Sequence, residues 1–195
     1  MSSGTVTRPE RLTRERVVAT AASLLDRTGS DGLTLTAVAG ALGVRTPSLY
    51  HHFAGLDGLR AALRHHGVVQ LGDALLRASS GRAGRDALAA VARAYVDFGR
   101  AHPGLYVLTL AGDTSADPEL AEAAGRLLDT VAAVLRGYGI EGDEALHATR
   151  YLRSTLHGFV ALEAAGGFAL ALDLEASQER LVTALDAGLR SLAER

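Results

Sequence analysis

The sequence contains no cysteine and only one isoleucine. Without thiols the chain cannot form disulfides, thiolate zinc sites or a cysteine nucleophile. It also lacks a run of about 18 apolar residues, the length that a membrane span needs, and no apolar stretch follows its first charged residues as in a signal peptide. No segment alternates apolar and polar β-branched residues as strands do. These absences predict an all-α protein that acts in the cytoplasm and does not enter a membrane.

Lysine is absent as well, so all 20 basic residues are arginine, and they are unevenly distributed. Residues 1–66 hold eight arginines and five acidic residues, a net charge of +3, whereas the rest of the chain carries a net charge of −5. Neutralising phosphates supplies most of the non-specific affinity of a protein for DNA. The overall charge of −2 argues weakly against nucleic-acid binding, but the basic N-terminal third favours it.

The first two helices are marked by their capping residues. Thr13 is suited to cap a helix whose apolar residues recur at three- and four-residue steps and which stops near Gly29. Thr34 can cap a short second helix, Leu35–Leu42, with its apolar residues on one face. Gly43 follows directly and permits the positive φ of a sharp turn.

A third helix completes a helix-turn-helix. Thr46 is placed to cap it, Pro47 occupies its first position, where a missing N–H costs nothing, and the pattern runs to about Phe53. In this motif the second short helix enters the major groove of DNA with its N-terminus first. We therefore expect residues 11–55 to form a DNA-binding domain, preceded by a flexible arm over residues 1–10.

Residues 56–195 are predicted to form a second, all-helical domain. Its first helix contains Gly58, Gly67 and Gly72. Each costs about 1 kcal/mol relative to alanine in a helix interior, which predicts a kinked or mobile helix. Five further helical patterns bring the total to about nine, over residues 85–101, 103–111, 118–137, 143–166 and 174–193.

The N-terminal third contains three motifs, Thr34–Ala39, Leu42–Val44 and Ser48–Phe53. In this register they resemble the DNA-binding domain of the TetR family of transcriptional regulators, and the resemblance covers residues 11–64. It implies a repressor that a small-molecule effector releases from its operator DNA.

A second resemblance concerns Tyr95–Phe98, His102–Tyr106 and Leu156–Phe159. These segments are similar to the C-terminal domain of a TetR subgroup that carries a Trp, a His and a Gly in its eighth helix. Arg153 stands where that subgroup has its Trp, so the sequence departs from the pattern there.

Nine residues are predicted to contact double-stranded operator DNA. Side chains at the start of the third helix point into the groove, and an arginine that pairs with guanine O6 and N7 discriminates by about 1–3 kcal/mol. The residues expected at base edges are Arg45, Thr46, Pro47, Ser48 and His51. The residues expected at phosphates are Thr34, Thr36, Tyr50 and His52.

Leu56 departs from the family pattern, because members usually have a phosphate-contacting lysine at this position. An arginine is expected to replace that contact, and the candidates are Arg8, Arg11, Arg60 and Arg64. The first two lie in or beside the arm, which as a solvated segment need not touch DNA at all.

Some residues of the motif have a structural interpretation instead. Leu49 and Phe53 are expected in the core, and Tyr50 is as well explained as a half-buried core aromatic with its hydroxyl outward. The adjacent histidines 51–52 and 65–66 invite a metal site, but neighbouring helical residues point about 100° apart and cannot chelate one ion. We predict neither a metal nor a cofactor.

A homodimer is implied because one such helix reads only a half-site. In the family, the last two helices of each subunit form a four-helix interface. Their composition agrees with such an interface. The eighth helix carries the apolar set Leu152, Leu156, Phe159, Val160 and Gly167. The ninth helix carries a stripe of leucines, Leu174, Leu181, Leu185, Leu189 and Leu192.

The resemblance also implies an effector pocket enclosed by the fourth to eighth helices. Ligand pockets favour aromatic bodies with a few polar tips, and the candidates are Tyr95, Phe98, His102, Tyr106, His157, Phe159 and Glu163. Aromatic residues at helical spacing are nevertheless more often core than pocket. A histidine or carboxylate on an apolar helix needs a partner, which is either a ligand or the protein itself.

Two other functions compete with the regulator. A small helical enzyme could use His157 with Glu163, or His102, as acid and base, although no nucleophile motif, phosphate loop or metal-ligand array accompanies them. The second alternative is a helical ligand-binding or interaction protein with impaired DNA binding. Leu56 and the near-neutral net charge support this alternative.

Overall fold

A computed structural model describes residues 11–110, 113–115 and 117–194. Within these ranges the chain forms nine helices and no strand. They are α1 (Arg14–Gly32), α2 (Leu35–Leu42), a 3₁₀ helix (Thr46–His51), α3 (Gly55–Ser79), α4 (Gly84–Ala101), α5 (Pro103–Thr109), α6 (Pro118–Arg136), α7 (Gly142–Ala164) and α8 (Leu174–Ala193). The all-α prediction is confirmed, and α3 to α8 are the fourth to ninth predicted helices. In the described part of the chain no helix is long and apolar enough to cross a membrane.

The chain divides into two units between Leu63 and Arg64. The predicted boundary, after residue 55, lies eight residues earlier, because the first turns of α3 pack with the helices before them. Leu59 and Leu63 of α3 are fully buried in the first unit. The predicted arm, residues 1–10, lies outside the described residues.

The first unit consists of α1, α2, the 3₁₀ helix and the start of α3, and α2 packs against both α1 and the 3₁₀ helix. Its core is apolar, as the three-and-four spacing requires. Its buried side chains include Val17, Val38, Leu49, Phe53, Leu59 and Leu63. The predicted core positions of Leu49 and Phe53 are therefore confirmed, with exposed fractions of 0% and 4%.

Helix α1 is capped as predicted and is interrupted as predicted. The Thr13 hydroxyl accepts a hydrogen bond from the backbone N–H of Arg16 at 3.2 Å. Gly29 has φ +70° and ψ −175°, which breaks the helix before a last short turn that ends at Gly32. A side chain would be strained at that φ, so glycine permits the break.

Helix α3 is continuous from Gly55 to Ser79, and its predicted kink or mobility stays a prediction. Two of its glycines allow close packing. A Cβ on Gly67 would stand 3.0 Å from Thr109 Cγ2 and 3.1 Å from Leu105 Cγ, both on α5, and a Cβ on Gly72 would touch Leu127 of α6. The propensity lost by glycine is offset by the contact area that these approaches allow.

The second unit is built around α4, which contacts α5, α6, α7 and α8. Eight of its residues are buried along one face. Its crossing with α7 is close, because a Cβ on Gly99 would lie 2.6 Å from Val160 Cγ1. Helices α7 and α8 also approach closely, where the Tyr151 hydroxyl lies against Gly188.

The predicted bounds of the later helices agree with the structure to within two residues, the ordinary uncertainty of a helix end. The exception is the end of the sixth predicted helix, α5, at residue 111, which lies outside the described residues.

Candidate functional site

The turn before the 3₁₀ helix is fixed by hydrogen bonds at the end of α2. Gly43 adopts φ +68° and ψ 27°, and its N–H donates to the Gly40 carbonyl at 3.1 Å while the Val44 N–H donates to the Ala39 carbonyl at 3.0 Å. This pair of bonds is the Schellman motif, which satisfies carbonyls that the helix end leaves open. The predicted glycine turn is confirmed, and it sets where the next helix begins.

The third predicted helix differs from the prediction in type and in its cap. It is a 3₁₀ helix that begins at Thr46, so Arg45 and not Thr46 holds the capping position, and no side chain caps it. The carbonyl of Arg45 accepts from the Ser48 N–H at 2.9 Å. Pro47 lies in the first turn, where its missing N–H leaves no bond unmade.

A 3₁₀ helix has three residues per turn, so side chains three apart line up. Leu49, at the centre of the inward line, is fully buried, and its neighbours Thr46 and His52 are half-buried. Pro47 and Tyr50 share an exposed line, and Tyr50 is 61% exposed. That exposure excludes the interpretation of Tyr50 as a half-buried core aromatic.

The end of the 3₁₀ helix is tied to the start of α1 by Arg14. Its guanidinium donates to the His52 carbonyl at 2.9 Å and lies 4.7 Å from the centroid of the Phe53 ring. Sequence reasoning counted Arg14 only as part of the basic surplus and missed this positioning role. The contact spans 38 residues of chain, so no local pattern signals it.

The structure places the nine predicted DNA contacts on α2 and around the 3₁₀ helix, within one unit. Six are exposed and three, Thr46, Ser48 and His52, are half-buried. The Thr34 hydroxyl accepts from the Ala37 N–H at 3.1 Å and so caps α2 as predicted. That bond occupies an acceptor position of the oxygen, so the O–H hydrogen can still be donated to a phosphate.

The residue that departs from the family pattern, Leu56, lies half-buried in the first turn of α3. Arg60, one turn farther along, is 3.8 Å from Asp57, and both side chains are largely exposed. An exposed pair of this kind contributes little to stability, so Arg60 can exchange it for a phosphate. Arg64 belongs to the second unit, and Arg8 lies outside the described residues.

The second unit contains a cavity of about 350 Å³, within the range of small-molecule sites. Most of its wall is apolar and comes from α3, α4, α6 and α7. The apolar lining residues include Val68, Leu71, Leu75, Leu88, Val91, Leu127, Val131, Leu146, Leu152 and Leu156.

Of the seven predicted ligand contacts, Tyr95 alone lines this cavity. Its hydroxyl lies 3.1 Å from the Tyr106 hydroxyl, which in turn lies 2.7 Å from His157 Nδ1. Burial raises the pKa of both tyrosines above the ordinary value, and for Tyr106 the neighbouring Tyr95 hydroxyl adds to the rise. Both hydroxyls are therefore neutral at physiological pH.

The other four predicted residues have partners elsewhere in the protein. The single Nε–H of Arg100 donates a bifurcated hydrogen bond to the Glu163 carboxylate, with Nε 2.9 Å from Oε2 and 3.1 Å from Oε1. Phe98 packs against the His102 ring at a centroid distance of 5.2 Å, and Phe159 packs against Phe168 at 5.1 Å. The acid–base pair imagined for an enzyme is not formed either, since Glu163 is bound to Arg100 and His157 to Tyr106.

Sequence reasoning missed the polar residues that do line the cavity. They are Arg64, Thr109, Thr114, Thr149, Arg150 and Arg153. Arg153 also donates to the Leu110 carbonyl at 3.3 Å. The sequence does mark Arg153, because it stands where the subgroup has a tryptophan. That difference from the family pattern does not by itself indicate that Arg153 lines a cavity.

A wider groove of about 760 Å³ lies between α4 and the start of α8. Its lining contains both arginines and carboxylates, namely Arg85, Arg93, Asp97, Arg100, Glu175, Glu179 and Arg180. Interspersed charges of both signs partly neutralise one another, and little apolar surface accompanies them. The smaller cavity is the better candidate for a small organic molecule.

A helix-turn-helix with an exposed second helix, followed by a helical unit with an apolar cavity, defines the class of DNA-binding transcriptional regulators. Residues 17–63 match the family model described as bacterial regulatory proteins, tetR family, and residues 88–185 match that of the tetracyclin repressor-like C-terminal domain. The chain belongs to the TetR family of transcriptional regulators.

Relatives agree with this assignment. An HTH-type transcriptional regulator of Mycobacterium tuberculosis is 41% identical over 83% of this chain and 74% of its own length. Another, from Bacillus subtilis, is 38% identical over 80% of this chain and 82% of its own. A solved structure from Rhodococcus sp. RHA1 has a TM-score of 0.76 at 27% identity and covers 93% of this chain and 95% of that one. The Trp-His-Gly subgroup stays a prediction.

Proposed function

We propose that this regulator is a homodimeric repressor that binds operator DNA in the cytoplasm and releases it when a small molecule occupies the 350 Å³ cavity. The course of α3 is the observation that carries the proposal. Its residues up to Leu63 belong to the first unit, and Arg64, Val68, Leu71 and Leu75 of the same helix line the cavity. A ligand that displaces these side chains acts on a helix whose beginning is part of the DNA-binding unit.

The DNA contacts divide by position. Arg45, Thr46, Pro47, Ser48 and His51 read bases, while Thr34, Thr36, Tyr50 and His52 hold phosphates. Supporting this division, Arg45 and His51 are exposed at opposite ends of the 3₁₀ helix, and Thr34 and Thr36 lie at the N-terminus of α2, where free N–H groups favour a phosphate.

Dimerisation through α7 and α8 supplies the second half-site. Helix α7 leaves large apolar side chains exposed, among them Tyr151 at 40% and Leu162 at 53%. On α8 the leucine stripe is only partly covered, since Leu185 and Leu189 are buried while Leu181 and Leu192 are half-buried. An incompletely covered stripe beside exposed apolar residues fits a partner helix pair.

Effector and operator binding are thermodynamically linked in this mechanism. An inducer that weakens operator affinity by some factor must bind the operator complex more weakly by the same factor. Equal inducer affinity for the free protein and for the operator complex would contradict the coupling through α3.

The test of the regulator is a gel-shift titration with DNA that flanks its own coding region, at a fixed and stated salt concentration. We expect saturable, sequence-selective binding with a two-fold-symmetric footprint, and half-sites about 34–36 Å apart. Arg45→Ala should relax sequence preference, whereas Arg136→Ala, an exposed arginine at the end of α6, is the matched control. Unselective binding by the unmodified protein, or none, would refute operator recognition.

A further inference from the structure

We infer that the 350 Å³ cavity takes an amphiphilic anion, a molecule with an apolar body and a carboxylate-type head. The inference rests on the proposed effector site and names the chemical class of its ligand. It follows from the charges, the polarity gradient and the size of the cavity.

The charges of the lining are of one sign. Arg64, Arg150 and Arg153 line the cavity, and among the described residues no aspartate or glutamate does. Asp113 is close enough to Arg64 for that charge to help hold the pKa of its carboxyl low, although hydrogen bonds from Ser115 are the main cause. Arg150 and Arg153 give the described lining a positive potential, which a ligand anion can neutralise.

Several polar groups of the lining lie near Thr109, Leu110 and Asp113. Arg153 donates to the carbonyl of Leu110 and also interacts with the Tyr95 hydroxyl. Arg64 faces the neighbouring Asp113, and Thr109 and Thr114 contribute hydroxyls to the lining of the cavity.

The apolar lining lies farther along the same helices. On α3, Leu75 is eleven residues beyond Arg64, about 16 Å of helix rise, and on α4 Leu88 is seven residues from Tyr95, about 10 Å. Along α3 and α4 the lining of the cavity therefore changes from polar and cationic to apolar. An amphiphile with its anionic head near Arg153 matches this gradient.

The head would meet donors of the right kind. A guanidinium binds a carboxylate through two parallel N–H groups. Tyr95 presents a neutral hydroxyl. If His157 donates to the Tyr106 oxygen and Tyr106 donates to the Tyr95 oxygen, the hydroxyl hydrogen of Tyr95 is free to be donated to a ligand in the cavity. A neutral head would offer the Arg153 guanidinium no charge-assisted pair of this kind.

The volume limits the size of the ligand. A cavity of about 150 Å³ holds a benzene molecule, so 350 Å³ accommodates roughly a dozen non-hydrogen atoms by proportion. A medium-length fatty carboxylate, or a compact aromatic carboxylate, fits this limit.

The experiment compares dodecanoate with dodecan-1-ol, which has the same apolar chain and no charge, by calorimetric titration of the full-length protein. We expect dodecanoate to bind at least about ten-fold more tightly, the effect of one charge-assisted hydrogen-bond pair. Arg153→Gln should remove most of that preference while leaving the alcohol's affinity unchanged. The matched control is Arg93→Gln, because Arg93 is exposed and lines the separate 760 Å³ groove. This variant should leave both affinities unchanged.

Equal affinity for the two ligands in the unmodified protein, an equal loss for both in Arg153→Gln, or no binding of either would overturn the inference. Tighter binding of dodecylamine than of dodecanoate would do the same. If Arg153→Gln fails to fold, Tyr95→Phe serves in its place, with a smaller expected loss for the carboxylate alone. Because no DNA is present, selective dodecanoate binding without an effect in the gel shift would refute the proposed coupling and leave the ligand class standing.

Discussion

Replacing Arg14 with alanine should destabilise the DNA-binding unit at the point where the 3₁₀ helix ends. The guanidinium makes one hydrogen bond to the His52 carbonyl and one cation–π contact with Phe53. In an exposed setting the first contributes about 0.5–1.5 kcal/mol and the second about 0.5–1 kcal/mol. Since Arg14 is exposed, we expect a loss of about 1–2 kcal/mol in the free energy of unfolding.

Arg27→Ala is the matched control, because it removes the same charge from an exposed position farther along α1. Both variants reduce the attraction to phosphates alike, but only Arg14→Ala removes the tie to the 3₁₀ helix. The free energy of unfolding is measured by urea titration followed by circular dichroism. Operator affinity, measured at one salt concentration, should fall further for Arg14→Ala than for Arg27→Ala.

Equal stability of the two variants would refute the positioning role of Arg14. Equal stability with a larger loss of operator affinity in Arg14→Ala would show instead that Arg14 contacts DNA directly. Arg14→Lys separates these cases further, because it keeps the charge but replaces the planar guanidinium that lies over Phe53.

Three further predictions concern other parts of the chain. Leu56→Lys should tighten DNA binding and steepen its salt dependence by about one phosphate contact, and an unchanged slope would show that Leu56 does not face the DNA backbone. Gly99→Val should cost about 1–3 kcal/mol of stability, because its Cβ would stand 2.6 Å from Val160 Cγ1, and Val160→Ala in the same chain should recover part of that loss in a thermal melt. Hydrogen bonds, chiefly from Arg190, lower the pKa of Asp186 in the folded protein. The stability that the ionised Asp186 contributes is therefore present above its pKa in the unfolded chain, and it is lost as the pH falls through its pKa in the folded protein. Asp186→Asn should be less stable than the unmodified protein near pH 7, and the difference should shrink in acid.

The features that sequence predicted well are local. Thr13 and Thr34 cap their helices, and Gly43 supplies the turn, because capping and turn geometry are decided by neighbouring residues. The apolar spacing that predicted α4 to α8 likewise reflects which face of each helix is buried.

The features that sequence missed depend on residues far apart in the chain. The close packing of Gly67 against α5 cannot be predicted from the residues that neighbour Gly67 in sequence, because α5 lies far along the chain. Glu163 found its partner in Arg100, 63 residues away. The aromatic pattern located Tyr95 but could not distinguish a side chain that lines the cavity from those that fill the space between helices, such as Phe159.

The hydrogen-bonded tyrosine pair also has a spectroscopic consequence. The chain has no tryptophan and five tyrosines, so tyrosine dominates its intrinsic emission. Tyr95 lines the cavity and Tyr106 is hydrogen-bonded to it and to His157. Two of the five tyrosines therefore belong to one hydrogen-bonded chain at the cavity wall. We expect the tyrosine emission of the unlabelled protein to change when a ligand occupies the cavity.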